Sequence, residues 1–551
     1  MKPPMKYFIL FAASAALSLS AAAQTFDNPV LPGFYPDPSV CRVGEDYYMV
    51  TSSFEWFPGL PVFHSKDLVN WRQIGHVLDR PSQLAMKDGM RNSHGLWAPT
   101  IRHHNGRFYV ICTATGCGGN FFVTSDNAAG PYSEPVFIED SPGIDPSLFF
   151  DDDGTVWYSG SWNGEKKDNP RRWFAEDRIY IQQLDIATGK FIGERHIVTS
   201  GFTVNSPYTE APHIYKMFGK YYLVVAEGGT WEKHAVTVFT AGHVIGPYTP
   251  FIGNPVLTHR HLGNDIDITT IGHADIVETQ FGDWYAVMLG VRPNGGYNML
   301  GRETFLTSVV FDTIPPTYLP FIGPQPIFNP GVGRVLMKDR RPNLPWTPVA
   351  EVPAKDDFDS ADLGFQWNFL RTPFEKWYSI NPANSKLVMK LRPNSVTEWT
   401  NPSLIARRVQ HFNFDVECGF EFSPKTSNEE VGLVIMQNDR FHYRLTVTCE
   451  GSGSVVKLIK VMNGEAETIA LLPVKSPKMV VAMKGRGLEY SFYAGENPDS
   501  LRPVGGIQDA TVCSSNVAAG FIGPYLGMYA SSNGKPSKRS AEFDWFIYKG
   551  L

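Results

Sequence analysis

The chain has few cysteines and little net charge for its length. Its 551 residues include six cysteines, none of them in a Cys-x-x-Cys pair, and the formal net charge is -6. Six isolated cysteines are too few for a disulfide scaffold, so most are expected to be buried thiols, with Cys112 and Cys117 the nearest candidates for a bridge. The small charge, without a concentrated run of lysine or arginine, argues against a nucleic-acid partner.

The sequence also lacks an apolar run long enough for a membrane anchor near its start. The apolar run over residues 7–19 follows Lys2 and Lys6 and precedes the small residues 21–23. This pattern is typical of an export signal, so we expect residues 1–23 to be removed and the mature protein to be exported, periplasmic or secreted, without a membrane partner. The sequence leaves the oligomeric state open.

Glycine and proline are abundant and are spread along the whole chain. There are 50 glycines and 42 prolines, and 13% of the residues are aromatic. Glycines and prolines distributed in this way are typical of an all-β protein with many tight turns. The length is enough for two sizeable cores, so we expect two domains.

Five tripeptides recur in the first part of the chain, and each leads into an apolar strand. Their starts are 61, 47, 66 and 63 residues apart, and each is followed by a glycine-containing turn and an aromatic pair. One strand, a hairpin turn and a second strand per repeat predict a five-bladed β-propeller over residues 24–325. The tripeptides are Pro36-Asp37-Pro38, Trp97-Ala98-Pro99, Ile144-Asp145-Pro146, Glu210-Ala211-Pro212 and His273-Ala274-Asp275.

The propeller geometry predicts that the repeats converge. The first strand of each blade lines the axis, so equivalent side chains point into one central funnel. An aspartate beside a proline is most often a turn residue, but three acids at one crowded axis raise one another's pKa and cost stability, which favours a functional site. The converging side chains are Asp37, Asp145, Glu210, Trp97 and His273.

Paired carboxylates among aromatic side chains indicate glycoside hydrolysis. One acid protonates the leaving oxygen, and one carboxylate activates water or attacks carbon. Aromatic side chains suit this chemistry because sugar rings present apolar C–H faces, although any single one is more often part of a core. The candidate walls are Phe54, Trp56, Phe57 and Trp97.

The composition changes after the repeats. Residues 326–355 are rich in proline and show no clear period, which predicts a linker. From Asp356 onwards alternating apolar and polar positions return, as in residues 441–448 and 542–548. This pattern predicts a second all-β domain over residues 356–551, most simply a β-sandwich.

Several motifs resemble those of glycoside hydrolase family 43, whose members include β-xylosidases and α-L-arabinofuranosidases. The resemblance covers nearly the whole mature chain and implies an exo-acting, inverting hydrolase. Such an enzyme would release terminal β-D-xylose, α-L-arabinofuranose or both from xylan- or arabinoxylan-derived oligosaccharides. The alternatives are a non-catalytic sugar-binding propeller and an endo-acting arabinan hydrolase. The motifs are GFYPDPSV, GLWAPTI, GIDPSLF, YTEAPHIY, GHADIVET and LGRETFL.

The resemblance implies a role for each polar residue of the funnel. Asp37 matches the general base, and Glu210 matches the general acid. Asp145 matches the acid that raises the pKa of the proton donor and holds it in place. Arg302 matches a residue that contacts the sugar hydroxyls and the acids, which suits a fixed cation with a donor fork.

The resemblance also implies the walls of the pocket and its surroundings. Phe54 and Trp97 match walls of the terminal-sugar subsite. His273 matches an axial histidine near the substrate or a bound ion, with a structural histidine as the equal alternative. No cofactor and no metal ligand are required, although a structural calcium ion near the axis is compatible with the family. In two-domain members the sandwich sends an aromatic residue into the funnel, and Tyr525 within residues 523–529 is the candidate here.

Overall fold

The structure is a computed structural model that describes residues 24–164, 170–313 and 324–551. The predicted export signal lies outside the described residues. None of the helices in these ranges has the length and apolar character that a membrane span requires. All six cysteines lie in these ranges and are free thiols, four of them buried, so Cys112 and Cys117 are not bridged.

The first domain opens with a short strand, β1 (Thr25–Asp27), and continues with two four-stranded antiparallel sheets. The strands are β2 (Ser39–Val43), β3 (Asp46–Val50), β4 (Trp56–Phe57), β5 (Gly59–Ser65), β6 (Arg72–Leu78), β7 (Gly95–His104), β8 (Arg107–Thr115), β9 (Gly119–Ser125) and β10 (Val136–Phe137). Strands that follow each other in the chain are neighbours in each sheet, except that β4 lies outside the first sheet.

Three further antiparallel sheets with the same strand order follow. The strands are β11 (Ile144–Phe150), β12 (Val156–Trp162), β13 (Arg178–Asp185), β14 (Lys190–Thr199), β15 (Glu210–Met217), β16 (Lys220–Glu227), β17 (Ala235–Ala241), β18 (Thr249–Pro250), β19 (Leu257–Thr258), β20 (Thr269–Glu278), β21 (Trp284–Val291), β22 (Glu303–Asp312) and β23 (Gln325–Phe328). The short β19 pairs with β17 at the edge of the fourth sheet.

The first strands of the sheets surround one axis. They contact one another in cyclic order, and the last returns to the first; they are β2, β7, β11, β15 and β20. The ring is closed again at its rim, where β1 pairs with β24 (Lys338–Arg340), which follows the fifth sheet. This arrangement is a β-propeller, with five sheets in the described part of the chain.

The first domain extends further than the sequence predicted. β23 is the fourth strand of the fifth sheet, and β24 is paired with the N-terminal strand. The predicted linker over residues 326–355 therefore begins inside the propeller. Pro326 hid this strand in the sequence, but β23 is an edge strand, where a missing backbone N–H is tolerated.

The second domain consists of two antiparallel sheets. The larger has nine strands and the smaller has six. The strands are β25 (Lys355–Asp356), β26 (Phe369–Leu370), β27 (Tyr378–Asn381), β28 (Lys386–Lys390), β29 (Ser403–Arg408), β30 (Asn413–Glu421), β31 (Glu430–Asn438), β32 (Phe441–Glu450), β33 (Gly453–Met462), β34 (Glu465–Val474), β35 (Lys478–Arg486), β36 (Glu489–Gly495), β37 (Arg502–Pro503), β38 (Gln508–Asp509), β39 (Tyr525–Ser531) and β40 (Ser540–Gly550). Two 3-10 turns, Pro498–Ser500 and Ala510–Cys513, and one short helix, α1 (Ser515–Ala518), precede β39.

The two sheets enclose a common apolar core, as the predicted β-sandwich requires. Val416 and Phe420 of the larger sheet belong to the same buried cluster as Leu433 and Ile435 of the smaller sheet. The alternating pattern in the sequence arises because one face of each strand meets this core.

The two domains are joined by a strand pair and by stacked rings. β4 of the propeller pairs with β26 of the sandwich, outside both main sets of sheets. Trp56 of β4 stacks on Tyr525 of β39, with ring centroids 3.6 Å apart and an interplanar angle of 10°. Both rings are completely buried, so this contact is part of a continuous core between the domains.

Candidate active site

The backbone is bulged where the first strands approach the axis. In four of these strands the pairing register slips by one residue within the tripeptide, at residues 97–100, 144–147, 210–213 and 272–275. One residue in every repeat has a left-handed backbone with φ between 42° and 55°: Asp37, Ala98, Asp145, Ala211 and His273. A bulge re-aims side chains, and at least one residue of every tripeptide lines the cavity described next.

The bulges correct the predicted alignment of the fifth repeat by one residue. Its left-handed residue is His273, so Gly272-His273-Ala274 is the equivalent tripeptide. Gly272 fills the first position because a Cβ there would lie 2.4 Å from the ring of His234. His273 therefore corresponds to Asp37 and Asp145 and not, as the sequence suggested, to Glu210.

A cavity of about 260 Å³ lies where the first strands begin. It is lined by all the predicted polar site residues of the propeller and by two of the predicted aromatic walls: Asp37, Phe54, Trp97, Asp145, Glu210, His273 and Arg302. Its volume is below the range of about 300–1,000 Å³ that is usual for drug-sized ligands, as suits a single sugar ring.

Asp37 is held on both carboxylate oxygens. Arg302 Nη1 donates to Oδ1 and the Ser52 hydroxyl donates to Oδ2, each at 2.6 Å. Each oxygen keeps a second lone pair, so the carboxylate can still accept a proton from water. Arg302 also donates to the Thr230 hydroxyl at 3.2 Å, and its Nε has no partner within the described residues.

Asp145 and Glu210 form a coupled pair with raised pKa values. Burial raises the pKa of Glu210 well above its usual range, and the charges of Asp145, Asp177 and Asp37 raise it further. Burial and the charge of Asp37 also raise the pKa of Asp145, which accepts a hydrogen bond from the backbone of Ala211. Because the two carboxyl groups repel each other when both are charged, Glu210 keeps its proton at neutral pH.

His273 lies at the bottom of the pocket, with Nδ1 3.9 Å from Asp37 Oδ1. Burial lowers its pKa, although the charge of Asp37 acts in the opposite direction. The imidazole is therefore neutral at neutral pH and can donate or accept one hydrogen bond at each nitrogen.

Below His273 the axis is filled by a polar network that joins all five first strands. Arg102 Nη1 pairs with Asp275 Oδ2 at 2.9 Å, and Arg102 Nη2 lies 3.0 Å from His213 Nδ1. Burial alone would raise the pKa of Asp275, but the charge of Arg102 holds it well below its usual range. The remaining members are Ser39, which donates to Asp275 at 2.6 Å, Ser147, which lies 3.4 Å from His213, and Tyr215, which donates to Asp275.

The part of this network around Asp275 does not fit a calcium ion. Calcium takes six to eight oxygen ligands, whereas the oxygens of Asp275 already accept hydrogen bonds from four groups. The buried guanidinium of Arg102 would repel a second cation at the same place. Within the described residues, no group of three or more His, Cys, Asp or Glu side chains is arranged to hold a metal.

The aromatic residue that the sandwich contributes to the pocket is Phe521, not Tyr525. Tyr525 is completely buried against Trp56 and lies outside the cavity. Phe521 lines the cavity, stacks near Phe54 at 6.2 Å and meets Trp97 edge-on at 5.5 Å. Tyr525 begins β39 and follows its alternation into the core, whereas Phe521 belongs to the preceding loop, which is free to reach the propeller.

Ser93 fixes one aromatic wall from each domain. Its carbonyl accepts a hydrogen bond from Trp97 Nε1 at 2.8 Å, and its hydroxyl accepts one from the backbone N–H of Phe521 at 3.0 Å. The N–H of Ser93 donates to Glu55 at 3.1 Å, and burial raises the pKa of Glu55 to about 7.

The other sequence-predicted walls separate into two groups. Phe54 and Trp97 line the cavity, whereas Trp56 and Phe57 are buried in the strand pair between the domains. Tyr208, Thr230 and Trp231 also line the cavity, and the sequence analysis missed them. They lie on loops between strands, where the repeat gives no signal.

The chain is similar to known proteins over both domains. A family model described as "Glycosyl hydrolases family 43" matches residues 26–313, and one described as "Beta xylosidase C-terminal Concanavalin A-like domain" matches residues 355–549. A xylosidase/arabinosidase of Butyrivibrio fibrisolvens is 37% identical, with 94% of this chain and 98% of the relative covered. A non-reducing end alpha-L-arabinofuranosidase of Bacteroides ovatus is 36% identical, with both chains covered completely. The crystal structure of a xylan beta-1,4-xylosidase from Bacillus halodurans superposes with a TM-score of 0.88 at 35% identity, covering 95% of this chain and 100% of the other.

Proposed function

The chain belongs to glycosyl hydrolase family 43, and from this membership we propose that it is an exo-acting hydrolase that releases terminal β-D-xylose, α-L-arabinofuranose or both. The observation that carries the proposal is the convergence of Asp37, Asp145 and Glu210 in a small pocket that Phe521 walls from the second domain. A pocket of this kind accepts the end of a chain. An endo-acting arabinan hydrolase needs a groove open at both sides, and a sugar-binding protein has no need for three buried acids.

In the proposed mechanism Glu210 is the general acid. Its raised pKa keeps the proton in place at neutral pH, ready for donation to the glycosidic oxygen. Asp37 is the general base and takes a proton from the water that attacks the anomeric carbon. Arg302 compensates the charge of Asp37 and lines the cavity, where its guanidinium can contact a sugar hydroxyl.

Asp145 is a positioning residue for the acid. Its carboxylate is anchored by the N–H of Ala211, the residue that follows Glu210, so it lies beside the proton donor. Its charge is one of the causes that raise the pKa of Glu210. This division of labour between carboxyl groups suits an inverting reaction, in which water attacks from the face opposite the leaving group.

The relatives support pentose substrates of two ring forms. One relative is named as a xylosidase/arabinosidase, another as an arabinofuranosidase and the structural neighbour as a xylosidase. We propose the same range here, with xylan- or arabinoxylan-derived oligosaccharides as the natural class of substrate.

The proposal is tested by hydrolysis of nitrophenyl β-D-xylopyranoside and nitrophenyl α-L-arabinofuranoside, with proton NMR of the first sugar released. We expect cleavage of at least one of the two glycosides and initial release of the anomer opposite to the substrate's. Release of the same anomer would refute inversion alone. No cleavage of either glycoside, with tight binding retained, would instead favour a sugar-binding protein. Release of internal fragments from linear arabinan would favour the endo-acting alternative.

A further inference from the structure

Three aromatic side chains form a line that leaves the pocket beside Glu210. Trp231 and Tyr208 line the cavity, with ring centroids 5.6 Å apart, and Phe174 follows 6.4 Å from Tyr208. Trp231 is 47% exposed and Phe174 is 83% exposed. We call these three residues the aromatic strip. Phe174 has no role in the proposed mechanism.

The strip is held in place by the backbone around it. Trp173 Nε1 donates to the carbonyl of Ser206, and the N–H of Tyr208 donates to the carbonyl of Ala175, both at 2.8 Å. Phe174 therefore sits between two anchored residues, on a loop tied to the loop that carries Tyr208. The loop therefore presents the Phe174 ring to solvent, where its apolar face is available to a ligand.

The close approach of Tyr208 and Trp231 depends on Gly229. A Cβ at this position would lie 2.6 Å from the ring of Trp231 and 2.8 Å from the ring of Tyr208, and the glycine has a φ of +74°. The two rings therefore meet over a backbone that admits no side chain. The local backbone therefore determines how these two rings are arranged at the entrance to the pocket.

The position of the strip identifies the part of the substrate that it faces. Tyr208 precedes the proton donor Glu210 by two residues, at the entrance to the same strand. The oxygen that Glu210 protonates belongs to the leaving group, so the sugar attached to that oxygen leaves the pocket on this side. Asp177, which acts on the pKa of Glu210, and its partner Arg171 add polar groups beside the strip, at an Oδ1–Nη2 distance of 2.8 Å.

We propose that the aromatic strip binds the leaving-group part of an oligosaccharide, with the first unit over Trp231 and Tyr208 and the second over Phe174. Sugar rings present apolar C–H faces that suit such a surface, and polar groups at its edge can bond the hydroxyls. This inference rests on the proposed function and refines its substrate class. The preferred substrate is an unbranched pentose oligosaccharide with at least two units beyond the bond that is cut.

The test compares a linear trimer with the nitrophenyl glycoside of the same sugar, in the full-length protein. The quantity measured is kcat/KM for the trimer divided by kcat/KM for the nitrophenyl glycoside, which has no sugar beyond the bond that is cut. For Phe174→Ala we expect this ratio to fall about three- to tenfold, the loss typical of one aromatic contact. Phe174→Leu should lose as much, because it keeps apolar bulk but no ring, whereas Phe174→Tyr should keep the wild-type ratio.

The matched control is Phe281→Ala. Phe281 is 61% exposed and follows the far end of β20, opposite the pocket, so its loss should leave the ratio unchanged. An unchanged ratio in Phe174→Ala, or a wild-type ratio in Phe174→Leu, would overturn the proposed role of the aromatic strip. Either result would leave the proposed function intact. A wild-type protein that cleaves neither the trimer nor the nitrophenyl glycoside would overturn the proposed function itself.

Discussion

Asp37 and Asp145 occupy equivalent left-handed positions of two repeats, yet their neighbours give them different chemistry. Asp37 faces a guanidinium and a hydroxyl, whereas Asp145 faces a backbone N–H and another carboxyl group. The first environment compensates a negative charge, and the second makes a charge costly. This difference suits the roles proposed above, a base in one repeat and a modulator of the acid in another.

Removing the charge of Asp145 should move the alkaline side of the pH profile. Burial and the Asp145 charge both raise the pKa of Glu210. In the proposed mechanism the protein is active while Glu210 is protonated. In Asp145→Asn the second cause is gone, so the pKa of Glu210 falls and activity is lost at a lower pH than in the wild type. The measurement is kcat/KM against pH on a nitrophenyl glycoside. An alkaline limb that stays in place, or moves to higher pH, would contradict this account.

Glu210→Ala should affect substrates according to their leaving groups. A poor leaving group needs a proton from the acid, and general acid catalysis is worth about 10²- to 10⁴-fold. An activated leaving group such as dinitrophenolate needs little help, so its rate should fall much less. Rates of single turnover on a disaccharide and on a dinitrophenyl glycoside measure the difference. Equal losses on both substrates would argue against Glu210 as the proton donor.

The residues of the site were predictable where they belonged to the repeat. Asp37, Asp145 and Glu210 stand out because acids replace ordinary residues at recurring positions, and the cavity contains all three. Phe521 was missed in favour of Tyr525 because the choice between two aromatic residues four positions apart depends on where β39 begins. Trp231 and Tyr208 lie on loops, whose paths are set by tertiary contacts and not by local pattern.

At the scale of elements, glycines set how closely the two domains approach. A Cβ at Gly523 would lie 2.5 Å from the carbonyl oxygen of Leu300, and one at Gly301 would lie 2.9 Å from the Cα of Gly523. The loop that carries Phe521 therefore rests directly on the backbone that leads to Arg302. The contact between the backbones at Gly523 and Gly301 therefore helps to position both Phe521, which walls the pocket, and Arg302, its cation.

Gly523→Ala should open that contact. The added methyl group must displace the loop, so we expect a loss of about 1–3 kcal/mol in the free energy of unfolding and a higher KM. Thermal denaturation and kinetics on a nitrophenyl glycoside measure the two effects. Gly506→Ala is the control, because nothing lies within 4 Å of a Cβ at Gly506 in the same domain. A Gly523→Ala protein with wild-type KM would show that the loop tolerates the shift.

The bulges show which features of the strands can be predicted from the sequence alone and which cannot. The spacing of the tripeptides predicted the repeats, and the structure has one sheet for each of them. The one-residue error in the fifth repeat arose because the bulge is a property of the backbone. A pattern of residue types could not distinguish His273-Ala274-Asp275 from Gly272-His273-Ala274 without the left-handed φ of His273. The edge strand β23 was missed for a related reason, since its proline reads as a break.

At the scale of the whole molecule, a buried ion pair between two blades lies at the propeller axis. Arg102 and Asp275 belong to different blades, and their ion pair lies within a network that reaches every first strand. Asp275 is completely buried, so its charge depends on this partner. The propeller is thus tied together at its centre by a buried charge pair and at its rim by the pairing of β1 with β24.

Two measurements test this description of the axis. Treatment with a chelator should change neither the melting temperature nor kcat/KM, because the positive charge at the axis is covalently part of the chain. Arg102→Met should cost about 3–5 kcal/mol in the free energy of unfolding, since it leaves Asp275 buried without its partner. Arg107→Met removes an exposed pair with Asp126 and should cost less than about 1 kcal/mol. A large loss of stability on chelation would contradict the expectation that the axis needs no metal ion.

The contribution of Phe521 also has a consequence for the timing of synthesis. Asp37, which begins the site, is made early, whereas the residue that completes the wall is made near the end of the chain. Domains fold in the order in which they leave the ribosome, so the propeller can close its ring while its funnel still lacks that wall. A prematurely terminated chain would hold all three acids and remain a poor catalyst. In this view the protein becomes an efficient catalyst only after the second domain has been synthesised and has folded.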